Sequence, residues 1–255
     1  MQPIRNYSEK QDIYQQLRRH NQFIHENSDI WNWNCNVTLT RPSLARILHL
    51  NSIYQLILDV PGDIFEFGSH FGASTAILRN LQSIHEHHNN SRGIHSFDTF
   101  TGFSDVHNLL DKSITGRKNS DEDFATYTEN YQDILAEILN LHKALDESVS
   151  NKNSPHTINT GDITQTLPDF LNERPGALAS MIICDVDIFK PTDCILKLMK
   201  DRLINGSIIV FDEILHYQQY PGESIALQHS GLLDKLTPIK TNSFVPNAAI
   251  FRFNY

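Results

Sequence analysis

The sequence has few cysteines and no long apolar segment. Its three cysteines, Cys35, Cys184 and Cys194, include no CxxC pair, and an odd number excludes a complete disulfide framework and favours reduced thiols. No stretch reaches the ~18 consecutive apolar residues that a transmembrane helix requires. The N-terminal residues MQPIRNYSEKQD also lack the apolar core of a signal peptide. These absences predict a cytoplasmic protein with no membrane partner.

Positive charge is also in short supply. Lys and Arg total 21 against 30 Asp and Glu, which gives a formal net charge of -9. Nucleic-acid binding depends on neutralising phosphates, and polybasic membrane-surface proteins need clustered positive charge. The acidic balance therefore argues against nucleic acid and against an anionic membrane surface as partners.

The pattern of apolar residues divides the chain near residue 60. With 255 residues, the chain can bury a substantial core without disulfides or a structural metal. Helical spacing predicts an N-terminal helical extension or lid over residues 1–60, which Pro61 and Gly62 end. From residue 61 to 255, short apolar runs alternate with helical segments. This alternation predicts an α/β domain with a mostly parallel sheet and helices on both faces.

The predicted elements of the α/β domain follow one another closely. Helices are expected near 73–83, 192–204 and 222–235, and a helical insertion or lid over 104–150. LTPIKT and NAAIFRF predict a final antiparallel pair at the sheet edge. The runs predicted as parallel strands are DIFEFG (63–68), GIHSFDTF (93–100), HTINTGD (156–162), ASMIICDVD (179–187) and GSIIVFDE (206–213).

The predicted strands end in acidic residues. Parallel sheets bind ligands at the carboxyl ends of their strands, so this many carboxylates at one edge indicate a site for hydroxyl groups, a cation or a metal. Helix N-capping, which Asp does well, is the alternative for any single member. The acidic strand ends are Glu66, Asp98, Asp162, Asp185, Asp187, Asp212 and Glu213.

The turn after the first strand, EFGSHFGAST, differs from the dinucleotide fingerprint GxGxxG. Glu66 beside it disfavours a diphosphate and suits a ligand with a positive charge or an amino group. Asp98 suits the two hydroxyls of a ribose, and Asp162 suits an adenine amino group. These features fit S-adenosylmethionine (SAM). The expected cofactor-binding residues are Glu66, Gly68, Ser69, Gly72, Ser74, Asp98 and Asp162.

A second candidate set follows the fourth and fifth strands. Asp185, Asp212 and Glu213 offer only oxygen ligands, which suit Mg²⁺, Ca²⁺ or Mn²⁺ rather than structural zinc. A divalent cation would also offset their mutual repulsion. A carboxylate that merely caps the following helix is the alternative.

These segments together resemble the class I SAM-dependent methyltransferases, and more closely the macrocin and mycinamicin sugar O-methyltransferases. The similar pieces are VPGDIFEFG, FDTFTGF, GDITQTLPDFL, CDVDIFKPT and GSIIVFDE, and YPGESIAL resembles a branch associated with deoxyhexose 3-O-methylation. The resemblance implies a Rossmann-like, seven-stranded sheet with an antiparallel last strand over residues 61–255. It also implies SAM contacts at Glu66, Gly68, Asp98 and Asp162.

The resemblance further implies Mg²⁺ or Mn²⁺ at Asp185, Asp212 and Glu213, although similar proteins carry Asp-Asp where this chain has Asp212-Glu213. The expected activity is O-methylation of a hydroxyl on a nucleotide sugar, a glycan or a glycosylated secondary metabolite. Asp185 is the expected general base, and His216 is the alternative. An oxidoreductase or hydroxylase on a nucleotide-binding fold and a non-catalytic methyltransferase-like partner are the competing interpretations.

The N-terminal helix predicted over residues 8–30 has a thin apolar stripe of Ile13, Leu17 and Ile24. Such a stripe is too narrow for a core helix. We therefore expect the helix to pack against another subunit or to cover the active site. This favours a homo-oligomer, either a dimer or a larger assembly.

Overall fold

A computed structural model of the chain describes residues 7–115, 120, 124–126, 128–239, 245 and 248–255. The chain divides into two compact units, Met1–Ile47 and Leu48–Tyr255. Residues 48–60, which the sequence assigns to the N-terminal extension, lie in the second unit. In the described part of the chain, no helix is long and apolar enough to cross a membrane.

The first unit is helical. Helix α1 spans Tyr7–Asn27, α2 spans Trp31–Asn34, and a 3-10 helix follows at Cys35–Thr38. Residues 31–38, which are rich in Asn and Trp, are thus folded into short helical turns. The His25 and Trp31 rings stack at 4.0 Å between centroids, and Asn21 donates to the Thr38 hydroxyl at 2.8 Å. Helix α3 spans Arg41–Gln55.

The second unit contains the seven-stranded sheet that the sequence predicts. Its order is β3-β2-β1-β4-β5-β7-β6. Strands β1 to β5 pair in parallel, and β7 runs antiparallel to both β5 and β6. The final antiparallel pair is therefore confirmed at the sheet edge. The strands are β1 Asp63–Phe67, β2 Ile94–Asp98, β3 Thr157–Thr160, β4 Ala179–Cys184, β5 Leu203–Phe211, β6 Leu236–Pro238 and β7 Ala249–Phe253.

The helices of the second unit differ from the predicted ones mainly at their ends. The predicted 192–204 helix begins three residues earlier, and the chain enters β5 at Leu203. The predicted 222–235 helix ends at His229, and a 3-10 turn follows at Leu233–Lys235. The helices are α4 Ala73–His85, α5 Tyr131–Leu145, α6 Val149–Asn153, α7 Ile163–Glu173, α8 Phe189–Met199 and α9 Gly222–His229.

The insertion is less helical than its sequence suggests. Residues 104–115 form turns without a helix. Helix α5 begins only at Tyr131, because Asn130 takes a φ of 56° that interrupts helical geometry. The earlier part of the helical prediction falls partly on residues 121–123 and 127, which lie outside the described residues.

The two faces of the sheet carry separate apolar cores. Alternation along β1 directs Ile64 to one core, and Phe65 and Phe67 to the other. The core around Ile64 is closed by the C-terminal half of α3 and by α4. The core around Phe65 is closed by α7, α8 and α9. These layers hold the strand ends in fixed register, so the loops that follow them converge at one edge.

Arg92 lies at the amino ends of β1 and β2, opposite the carboxyl ends where the loops converge. Its side chain is 4% exposed and donates to the carbonyls of Ile57, Val60 and Gly62 at 3.1, 3.1 and 2.7 Å. It also donates to Glu86 Oε2 at 2.8 Å. Buried charge is tolerated here because the guanidinium is surrounded by acceptors.

Candidate functional site

A cavity of about 250 Å³ opens at the carboxyl ends of β1, β2, β4 and β5. This is where ligands bind in open parallel sheets. Of the expected site residues, Gly68, Asp98, Asp185, Asp212 and Glu213 line it together. The full lining is Gly68, His70, Asp98, Thr99, Gly102, Phe103, Ser104, Phe124, Ile163, Asp185, Val186, Asp187, Ile188, Pro191, Asp212 and Glu213.

The turn after β1 has little room for side chains. Gly68 has a φ of 89°, and a Cβ there would lie 1.8 Å from the Asp185 carbonyl oxygen, so only glycine lets β1 end against β4. Gly72 caps α4 and packs against Leu135. Ser74 is buried in the first turn of α4. Neither Gly72 nor Ser74 lines the cavity.

Ser69 follows Gly68 in the same turn and is 6% exposed. Within the described part of the chain its hydroxyl is buried without a hydrogen-bond partner. Buried hydroxyls are ordinarily satisfied, so this one suits a polar group of a bound cofactor. The observation fits SAM at this turn.

Glu66 lies beneath the turn rather than in the cavity wall. It is 1% exposed, and its Oε2 accepts from the Thr75 hydroxyl and from Ser96 Oγ, the latter at 3.0 Å. Burial lowers the pKa of nearby Arg79 to about 10, although the charge of Glu66 opposes that shift. The arrangement gives Glu66 a role in joining β1, β2 and α4. Its direct contact with SAM stays a prediction.

The Asp98 carboxylate accepts hydrogen bonds from two backbone amides at the cavity. Its Oδ2 accepts from the His70 amide at 2.7 Å, and its Oδ1 accepts from the Phe100 amide at 2.6 Å. Each oxygen keeps further lone pairs for a ligand hydroxyl. Burial lowers the pKa of the His70 imidazole, and the neighbouring Asp98 charge opposes this.

Asp162 is the N-cap of α7. Its Oδ1 accepts from the Thr164 amide at 2.8 Å and from the Thr164 hydroxyl at 2.8 Å, which is the capping alternative that the sequence left open. The next residue, Ile163, lines the cavity. An adenine contact by Asp162 stays a prediction.

The β4 and β5 ends form an acidic wall of Asp185, Asp187, Asp212 and Glu213. Burial, and then the charges of Asp212 and Asp185, raise the pKa of Glu213 to about 8. Oxygen donors of this kind fit Mg²⁺ or Mn²⁺, and a cation would relieve the repulsion. Among the described residues, however, no three acidic, His or Cys side chains are arranged as a ready metal site.

Two residues outside the cavity lining, His216 and Glu223, form hydrogen bonds with Glu213. His216 Nδ1 lies 3.0 Å from Glu213 Oε2, and the imidazole is 40% exposed and outside the cavity lining. Glu223 is fully buried, and its Oε2 accepts from the Glu213 amide at 3.1 Å. Its pKa is raised by burial and by the charges of Asp187 and Asp185.

The remaining wall is apolar and comes partly from the insertion. Phe103 and Phe124 lie 5.5 Å apart between ring centroids, and Phe124 meets His70 at 6.2 Å. Neither His70 nor Phe124 is among the site residues expected from the sequence. His70 lies in the turn EFGSHFGAST. Neither its φ of 47° nor its place in the cavity wall could be predicted from the residue pattern.

Comparison with solved structures gives a consistent result. A crystal structure of CalS11, described as a calicheamicin methyltransferase, shares 29% identity over 98% of this chain and 94% of its own, with a TM-score of 0.83. Apo CalS11, described as a TDP-rhamnose 3'-O-methyltransferase, shares 26% over 98% and 96%, with a TM-score of 0.76. The O-methyltransferase NovP shares 17% over 83% and 80% at a TM-score of 0.59 and supports the fold.

No family profile matches the sequence, and no curated protein matches it either. The structural comparisons nevertheless decide between the three interpretations of the sequence, because the similarity to CalS11 spans nearly the whole of both chains. They agree with the predicted seven-stranded, mostly parallel sheet. The chain is therefore a class I SAM-dependent O-methyltransferase.

Proposed function

We propose that this enzyme transfers a methyl group from SAM to a hydroxyl of a deoxyhexose, carried by a nucleotide or by another glycosylated small molecule. The supporting observation is the similarity to CalS11, a TDP-rhamnose 3'-O-methyltransferase, over 98% of this chain. CalS11 shares 26–29% of its residues with this chain, and on that similarity we propose the same class of acceptor.

The composition of the cavity favours a neutral, hydroxyl-rich acceptor. Carboxyl groups form hydrogen bonds with sugar hydroxyls whether ionised or protonated, and the acidic wall supplies four of them. Phe103 and Phe124 offer an apolar surface for the sugar ring. Without a bound cation, the same negative charge opposes an anionic group in the cavity.

The expected division of the site follows the strand order. Gly68 and Asp98, at the ends of β1 and β2, line the cofactor side, where the positive sulfonium of SAM would meet an acidic environment. Ser69 follows Gly68 and offers its buried hydroxyl to the cofactor. Asp185, Asp212 and Glu213 form the acceptor side on β4 and β5. Because β1 and β4 are neighbours, the two sides adjoin at Gly68 and Asp185, which suits an in-line transfer.

In the proposed reaction the acceptor oxygen attacks the methyl carbon of SAM. A C–O bond forms as the C–S bond breaks, and S-adenosylhomocysteine leaves with the electron pair. The hydroxyl proton passes to the Asp185 carboxylate, and His216 is the alternative base, acting through Glu213. Asp185, Asp212 and Glu213 would hold a divalent cation, which when bound lowers the pKa of the acceptor hydroxyl.

The test is a panel of acceptors incubated with methyl-labelled SAM. TDP-rhamnose, free rhamnose and TDP-glucose are compared by mass spectrometry, with and without Mg²⁺, and the modified hydroxyl is located by NMR. We expect methylation of a deoxyhexose and loss of turnover in Asp185→Asn. Asp201→Asn, in an exposed turn, is the matched control. Transfer to a non-sugar phenol with none of the sugars modified would contradict the proposal.

A further inference from the structure

Asp111 is a buried carboxylate that the proposed reaction does not use. It lies in the insertion and is 3% exposed. Its Oδ2 accepts from the His107 amide at 2.7 Å, and its Oδ1 accepts from the Phe189 amide at 2.7 Å. The second bond joins residues 78 positions apart. Hydrogen bonds of this charged type are among the stronger ones in proteins.

The Phe189 bond completes the start of α8. Phe189 is the first residue of that helix, and its N-cap, Ile188, offers no side-chain cap. The first amides of a helix need acceptors from outside the helix. Asp111 supplies one from a distant segment, and its negative charge also suits the positive end of the helix dipole.

The residues immediately before α8 are a wall of the cavity. Asp185, Val186, Asp187 and Ile188 all line it, and Asp187 has a φ of 60°. A non-glycine residue in that region persists only where its surroundings hold it. The Asp111 bond fixes Phe189, the first residue after this loop.

Ser104, the first residue of the insertion, and Phe103 just before it form another part of the cavity wall. A second link between the two walls, Lys190 to Asp105 at 2.5 Å, is about half exposed at both ends and is therefore screened by solvent. Asp111 is the buried link between the insertion and the β4–α8 loop.

A third segment closes around the same carboxylate. A Cβ on Gly222 would lie 2.5 Å from Asp111 Oδ1 and 2.3 Å from the Phe189 nitrogen. Position 222 therefore requires glycine for reasons of space. The following residue, Glu223, holds the Glu213 amide at 3.1 Å, so the packing around Asp111 extends to the β5 side of the acidic wall.

We propose that Asp111 is a positioning residue for the acceptor: by capping α8 from the insertion, it sets the spacing between the Phe103–Ser104 wall and the Asp185–Ile188 wall. The inference rests on the proposed acceptor side of the cavity. Asp111 touches neither reacting group, so its loss acts on acceptor binding and alignment rather than on SAM. The cofactor side is held separately by Gly68 and Asp98.

The experiment measures acceptor KM, SAM KM and kcat for the wild type, Asp111→Asn, Asp111→Ala and Asp105→Ala. Losing a charged hydrogen bond predicts an acceptor KM raised roughly ten- to hundredfold in Asp111→Ala. We expect a smaller rise in Asp111→Asn, which keeps one acceptor oxygen, and a SAM Kd by calorimetry within about twofold of wild type. Asp105→Ala is expected to behave as wild type.

The outcomes separate the possible failures. If acceptor KM is unchanged in both Asp111 variants while their melting temperatures fall, the residue is only structural and the inference is overturned. Equal losses of SAM and acceptor affinity overturn it as well. If Asp111→Ala does not fold, Asp111→Asn carries the test alone. Failure of the wild type to methylate any sugar contradicts the proposed acceptor, and it is distinguished from failure of the inference because the latter is seen only as a change between wild type and the Asp111 variants.

Discussion

The raised pKa of Glu213 predicts that removing its charge stabilises the metal-free protein in a pH-dependent way. Its pKa rises from 4.5 to about 8, because burial and the charges of Asp212 and Asp185 disfavour the ionised form. At 1.36 kcal/mol per pH unit, the ceiling on the cost is about 5 kcal/mol. The side chain keeps 15% exposure, and solvent screening reduces this to roughly 2 kcal/mol.

The sign of the effect follows from the two pKa values. Below pH 4.5 the carboxyl is protonated in the folded and unfolded states, so Glu213 costs nothing. Between pH 4.5 and about 8 the unfolded state ionises while the folded state holds its proton, and stability falls as pH rises. Above about pH 8 the cost is complete. Glu213→Gln, which stays neutral throughout, avoids it.

Urea unfolding in the presence of a chelator at pH 5, 7 and 9 tests this reasoning. We expect Glu213→Gln to gain stability over wild type progressively with pH, by roughly 2 kcal/mol at pH 9. Asp201→Asn removes a carboxylate from an exposed turn outside the cavity and serves as the control. A Glu213→Gln difference that is the same at pH 5 and pH 9 would refute the electrostatic explanation.

Three further predictions concern the cofactor, the metal and the fold. Asp98→Asn should raise the SAM Kd roughly ten- to hundredfold by calorimetry; an unchanged Kd would remove Asp98 from the cofactor side. EDTA or Asp212→Asn should lower kcat by at least about tenfold while SAM binding is retained. Mg²⁺ should restore the activity of the EDTA-treated enzyme. Full turnover in EDTA would exclude the metal. Arg92→Lys should cost about 3 kcal/mol of unfolding free energy, because it strands the buried carbonyls of Ile57 and Val60; a loss below 1 kcal/mol would contradict that role.

The sequence predicts the sheet and the gathering of carboxylates for the same physical reason. Parallel strands end at one edge, so acidic residues that follow separate strands meet even when they are far apart in the chain. Asp98, Asp185, Asp212 and Glu213 therefore line one cavity. The antiparallel β6–β7 pair can also be predicted from the sequence, because only a short link joins its two strands.

Other features depend on information that no local pattern contains. The direction of the Glu66 side chain is set by Thr75 and Ser96, which lie on other elements. The site role of His70 depends on a φ of 47°, which ordinary residues rarely adopt. Asp162 matches both a cap and a ligand in sequence, and only the bond to Thr164 distinguishes them. The Asp111–Phe189 contact crosses 78 positions.

The close packing of Gly222 against Asp111 has a consequence for how this enzyme could be re-engineered. Exchanging the insertion for that of a related enzyme is the obvious route to a new acceptor, since Ser104 and Phe124 come from it and both line the cavity. A transplanted segment without a carboxylate at position 111 would leave the start of α8 uncapped. A recipient with any larger residue at 222 would have no room for the carboxylate. Productive chimeras must therefore inherit the two positions as a pair, although 111 positions of chain separate them.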